Sequence, residues 1–330
     1  MFGLDDSFDL GEEEPPARSL IDPAQWIQAQ RDNAVALADA ALTVGRLDQL
    51  IIGLTPDMRQ GALLRLAVIE TEAMLWGQGT PLRREEIGRD LMDARAATDL
   101  DAMKLARWAI RRLEGQTALT DLRAFLALHR TDHTATGAAP FASRPMGRDF
   151  DDAARDFLSA FDRFSALHPL ARAGAVQVAW RMAELSNPED LIESAVWVGR
   201  DMARRCEALS FVPLGRHGRR VWLGGGEAAS RLPKYLDAIR QGASEACQQL
   251  SRLFTWAEQA KSATRTIKGD NSARVIAALM TRPLLTTAMV EEHAGISRDT
   301  AERLLRRMQS EGIVREVTGT RRFRLWTAAD

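Results

Sequence analysis

A proline at 283 and glycines at 295 and 312 cut the last sixty residues into segments too short to bury a core singly. Such pieces are stable only when packed together as a small unit. Before Pro283, Val275, Ile276, Leu279 and Met280 recur at helical spacing, with Ser272 as a candidate cap. Thr286 is placed to cap a second short helix carrying Ala288, Met289, Val290 and His293. Ala294-Gly295-Ile296-Ser297 reads as a tight turn, with glycine supplying a positive φ and serine capping a third helix.

The segment Arg298 to Ser310 divides cleanly. Ala301, Leu304, Leu305 and Met308 fall on one helical face, and Arg298, Asp299, Glu302, Arg303, Arg306 and Arg307 on the other. Gly312 ends it. Ile313 to Val317 alternates as a strand, Thr318-Gly319-Thr320 turns, and Arg322 to Trp326 alternates again. Helix, helix, turn, helix and hairpin over residues 270–330 describe a winged helix-turn-helix, a fold that binds double-stranded DNA. The third helix is expected in a major groove with Ser297, Arg298, Thr300 and Arg303 nearest the bases. Arg306, Arg307, Arg321, Arg322 and Arg324 are expected to hold phosphates. Winged helices also serve as protein-interaction modules, and in that reading the arginines are a solvated face.

Charge supports the first reading. The net charge is −1, yet residues 261–330 hold 13 Lys+Arg against 8 Asp+Glu, a balance of +5, and the remainder is at −6. Only the terminal segment is suited to a polyanion. With 45% apolar and 27% charged residues the composition is that of a globular protein. No apolar run reaches the ~18 residues of a membrane span, and the acidic start, Met1 to Glu14, is unlike a signal peptide. Cys206 and Cys247 read as reduced residues of a cytoplasmic protein.

The rest of the chain is expected to be helical, giving a mainly α fold. Residues 1–20 form an acidic tail expected to lack order. A helical domain spans 21–130, a linker or loop 131–148, and a second helical domain 149–265. Within the latter, Phe211–Leu214 and Val221–Leu223 suggest short strands around the basic turn Gly215 to Arg220, a hairpin spanning 211–226. That turn is either a second anion-binding patch or a solvated tip.

Two resemblances sharpen this picture. GISRDTAERLLRRMQSEG and GIVREVTGTRRFRLWTA near the end, with FVPLGRHGRRVW and RLPKYL in the middle, resemble an uncharacterised proteobacterial family. Its members pair a helical domain of unknown function with a helix-turn-helix DNA-binding domain. The terminal module also resembles the winged helix appended to many Fic-type AMP transferases. That likeness implies an enzymatic alternative in which His168 is the base, opening a helix at His168-Pro169-Leu170. Ala171, Ala173 and Ala175 stand where the Fic motif has its acid and its Gly-Asn-Gly anion nest. No nucleotide transfer is therefore expected, and no cofactor.

Other constellations have simple readings. Glu70 and Glu72 lie on an apolar helix; a buried carboxylate needs a partner, for which Arg107 or Arg111 are the nearest candidates. His129 and His133 have metal-pair spacing, but threonines surround them and no third ligand is evident, so no metal site is expected. Gly224-Gly225-Gly226 lacks the lysine of a phosphate loop. Trp180, Trp197 and Trp256 occupy helix core positions. The expected partners are double-stranded DNA and, through the helical body, a second copy or another protein.

Overall fold

The computed structural model describes residues 17–92, 99–115, 117–128, 144–318 and 324–329. Among them are fourteen α-helices and one three-stranded sheet. The chain opens with α1 (Pro23–Asp32), α2 (Ala34–Ile52), α3 (Pro56–Gln78), α4 (Arg84–Leu91), α5 (Leu100–Leu113) and α6 (Leu122–Leu126). Pro23 stands at the first position of α1, and Asp22 caps it by accepting the Ala24 N–H at 2.9 Å. After residue 143 come α7 (Gly147–Arg163), α8 (Pro169–Met182), α9 (Ile192–Met202), α10 (Arg219–Trp222) and α11 (Ala228–Ala263). The terminal module holds α12 (Asn271–Thr281), β1 (Leu285–Thr286), α13 (Thr287–Ala294), α14 (Arg298–Ser310), β2 (Val314–Glu316) and β3 (Leu325–Ala328).

The helices on both sides of residues 129–143 share one core, continuous from Leu20 to Leu250. The segments read as two helical domains thus pack as a single body. At its centre Phe157 meets both Trp180 and Trp197 edge to face, with centroids 5.1–5.2 Å apart. The expected tail ends sooner than residue 20, because Leu20 is buried and the Arg18 backbone N–H donates to Asp156 at 2.9 Å. His129 and His133 lie outside the described residues. Cys206 and Cys247 are free and partly buried.

The hairpin expected over 211–226 does not form. Residues 211–214 are irregular, Gly215–His217 is a 3₁₀ turn and Arg219–Trp222 is helical. Tertiary contacts decide this. The Glu70 carboxylate accepts the N–H groups of Leu214 and Gly215 at 3.0 and 2.6 Å, so neither is left for a ladder. A Cβ at Gly218 would lie in the Trp222 ring, which folds back over it. Asp48 likewise accepts the N–H groups of Glu207, Ala208 and Leu209, each at 2.8 Å. Two buried carboxylates therefore hold the irregular segment. Glu70 takes backbone donors in place of the arginine expected for it; Arg107 pairs with Asp90, and Glu72 with Arg84.

The long helix α11 joins the two parts of the molecule. Its residues up to Leu250 belong to the body core, and Leu253, Trp256, Ala257 and Ala260 belong to the core of the terminal module. At 1.5 Å per residue its 36 residues span roughly 54 Å. No described helix is long and apolar enough to cross a membrane.

Candidate nucleic-acid interface

The module is built from local signals that the sequence carries. Thr286 caps α13 by accepting the Met289 N–H at 3.1 Å. Gly295 takes φ +60 in the turn, and Ser297 caps α14 through Thr300. Gly312, at φ +71, closes α14. The first helix begins at Asn271, two residues earlier than a Ser272 cap requires, and Ser272 is buried inside it. Strands β2 and β3 pair antiparallel, with Val314 opposite Ala328 and Glu316 opposite Trp326, while residues 319–323 between them lie outside the described residues. A third strand not expected from the sequence, β1, pairs with β3, giving the order β1-β3-β2. Two indoles lock the unit: Trp326 donates to Thr287 Oγ1 at 3.1 Å, and Trp256 of α11 donates to the Ile313 carbonyl at 2.7 Å.

In α14, Ala301, Leu304, Leu305 and Met308 are buried, as the spacing requires. The opposite side is open to solvent. Ser297, Arg298, Arg303, Arg306 and Arg307 are exposed and Thr300 is partly so. Arg303 has no ion pair among the described residues. Arg298 and Arg306 flank Glu302 at 3.5 and 3.3 Å, and Arg307 meets Glu311 at 3.0 Å. The face thus offers four arginines against Asp299, Glu302 and Glu311, a weakly positive surface that needs the wing to hold phosphates strongly. Arg324 is partly exposed just before β3; Arg321 and Arg322 lie outside the described residues.

The fold adds cations that the sequence pattern does not single out. Arg307 donates to Thr266 Oγ1 at 3.3 Å, which places the exposed Arg265 and Lys268 segment beside the end of α14. No periodicity marks those two; only the basic balance of the segment hints at them.

The module is docked on the body. Arg65 of α3 donates to the carbonyls of Leu279 and Arg282, the latter at 2.7 Å, and so caps the C-terminus of α12. Arg89 of α4 donates to the Val317 carbonyl at 2.7 Å, and Arg315 meets Glu85 at 3.4 Å. Met92 packs on Leu284, Val317 and Leu325. These contacts hold the body side of the module and leave the arginine side of α14 uncovered.

His168, the base of the enzymatic alternative, caps α8. Its Nδ1 accepts the Leu170 N–H at 3.2 Å, and burial, then Arg205 and Arg172, push its pKa down. The N–H groups of Ala171 and Arg172 bond to the His168 carbonyl, and Pro169 has none. The His168 N–H itself donates to Gln30 of α1 at 2.8 Å. The first turn of α8 therefore has its donors engaged within the protein, where a phosphate nest needs them free. The basic turn is largely matched: Arg216 and His217 meet Glu245, the latter at 3.0 Å, and Arg220 meets Asp237 at 3.7 Å, while Arg219 is exposed.

Residues 273–328 match the family described as HTH DNA binding domain. The terminal module is a helix-turn-helix DNA-binding domain. No curated protein matches the chain. In fold, almost the whole chain is similar to the crystal structure of a Fic family protein from Desulfovibrio desulfuricans G20. The TM-score is 0.50 at 16% identity, covering 96% of this chain and 98% of that one. At that identity the likeness is one of fold.

Proposed function

We propose that this chain is a sequence-specific DNA-binding regulator of transcription, acting in the cytoplasm. The observation that carries the reading is the division of α14. Its apolar stripe is buried against the module, and its arginine side, including Arg303 with no ion pair among the described residues, faces solvent. In this reading Ser297, Arg298, Thr300 and Arg303 approach base edges, and Arg306, Arg307, Arg321, Arg322 and Arg324 hold phosphates. The body supplies the surface for a second copy or a protein partner, because one such module makes few base contacts. It carries out no nucleotide transfer, a view supported by the engaged donors at the start of α8.

Genome-wide mapping of bound DNA supplies the site, and fluorescence anisotropy on that site tests the docking. Replacing Arg303 and Arg322 together by Ala is expected to weaken binding about ten-fold or more and to flatten its salt dependence. Unchanged affinity at moderate salt rules this docking out.

A further inference from the structure

Between the body and the DNA-binding module lies a cavity of about 350 Å³. Helices α3, α4 and α11 form its body side, and Leu284, Arg315 and Val317 its module side. Its charged lining is lopsided. Arg65, Arg84, Arg252 and Arg315 surround it with Glu85 as the one acid among the lining residues. A sphere of that volume is roughly 9 Å across, close to one Debye length at physiological salt, so these cations feel one another.

The existing partners leave cationic capacity. Arg65 is held by the carbonyls of Leu279 and Arg282, and Arg84 by Glu72 at 2.8 Å. Among the described residues Arg315 has only the looser contact with Glu85, at 3.4 Å. Arg252 is exposed and has no hydrogen bond or ion pair among the described residues. The floor is apolar, with Leu66, Leu250 and Leu284 buried beneath the cations. A cavity of this size with an apolar floor and a few convergent charges suits a small organic molecule better than a bare ion.

We propose that this cavity is an effector site for a small organic dianion. Its acidic groups meet Arg252 and Arg315, and its carbon skeleton covers Leu66 and Leu284. The anion competes with Glu85 for Arg315, the residue of β2 that ties the wing to α4. A ligand touching both parts binds with an affinity that depends on how they are docked; where DNA binding depends on that docking too, each changes the other's affinity by the same factor. That consequence rests on the DNA-binding reading; occupancy of the cavity does not.

The test uses the full chain without DNA, at constant ionic strength, with phenyl phosphate and glutarate as organic dianions and inorganic sulfate as the salt control. Calorimetric titration and thermal melting should show saturable binding of at least one organic dianion. Arg252→Glu should weaken it about ten-fold or more. Glu85→Gln, which removes the competing carboxylate, should tighten it several-fold. Absence of saturable binding by either dianion overturns the proposal. So does equal binding by Arg252→Glu, or an equal melting shift from sulfate, which marks a general salt effect. A second arm measures DNA affinity. A bound dianion should shift it about five-fold or more. If Arg252→Glu weakens DNA binding with no dianion present, the arginines belong to the DNA interface and the effector site is refuted. Wild-type protein that binds the dianion but no DNA sinks the regulator reading alone.

Discussion

Glu70 offers a direct measurement of what burying a carboxyl costs the protein as pH rises from acid to neutral. Its carboxyl is fully enclosed, and no cation among the described residues pairs with it; burial raises its pKa from 4.5 to about 7, against the pull of the Gly215 and Leu214 N–H groups. Below about pH 4.5 the group is protonated in the folded and the unfolded chain alike. Between there and pH 7 the folded protein keeps a proton that the unfolded chain releases, so stability falls as pH rises. The loss levels off about one pH unit above that folded-state pKa. At 1.36 kcal/mol per pKa unit the shift amounts to about 3 kcal/mol. In Glu70→Gln the amide oxygen still accepts both backbone donors, but nothing titrates. Urea midpoints followed by tryptophan fluorescence at pH 5, 6, 7 and 8 give the comparison. The variant should gain on the wild type progressively, by about 2 kcal/mol from pH 5 to 7 and by only a few tenths more by pH 8. Any cost of burying the amide N–H₂ adds a pH-independent offset, so the slope of the difference is what counts. A difference that stays constant across this range refutes the account of Glu70.

Further substitutions probe the same framework. Asp48→Ala strands three N–H groups of residues 207–209 and should cost about 3 kcal/mol in urea unfolding. Asp48→Asn, which keeps one oxygen, should cost about 1 kcal/mol. Trp256→Phe removes the indole donor to Ile313, whose carbonyl keeps the Ala329 N–H at 3.1 Å. The expected loss is about 1 kcal/mol, read as faster hydrogen exchange confined to the terminal module.

The terminal module is legible in the sequence because its instructions are local. Thr286 and Ser297 cap helices within three residues of themselves, and Gly295 and Gly312 mark the positive-φ turns. Strand β1 is not legible, because two residues carry no periodicity and its partner, Trp326, is 41 positions on from Leu285. In the body, Val212, Leu214, Val221 and Leu223 show the same alternation that a strand shows. The choice is made elsewhere, by Glu70 on α3 and by Trp222 turning over Gly218. Glu70 also shows why a buried acid does not name its partner: backbone N–H groups satisfy it as well as an arginine does, and they have no sequence signature. On α14 the outward arginines are readable from spacing, but the clasp of Arg298 and Arg306 on Glu302 needs side-chain geometry. The docking contacts are beyond reach, because Arg65 and Arg89 meet carbonyls 214 and 228 positions away.

Those docking contacts change what the body is for. Leu250 and Leu253 lie one turn apart on α11 yet belong to different cores, so the helix enters the module without a break. Arg65 and Arg89 then fasten the module at two further points, and Gly61 lets α3 approach the Thr281 backbone closely. A DNA-binding unit on a loose tether searches many orientations, and two such units tolerate variable distances between half-sites. A unit fixed by a helix and two arginine clasps does not. If two copies associate through the body, the separation of their α14 helices is set by the body's geometry, and the operator must match it in whole helical turns. The body then governs which sites are read without touching DNA, and any ligand that alters the seam between α4 and β2 alters that selection.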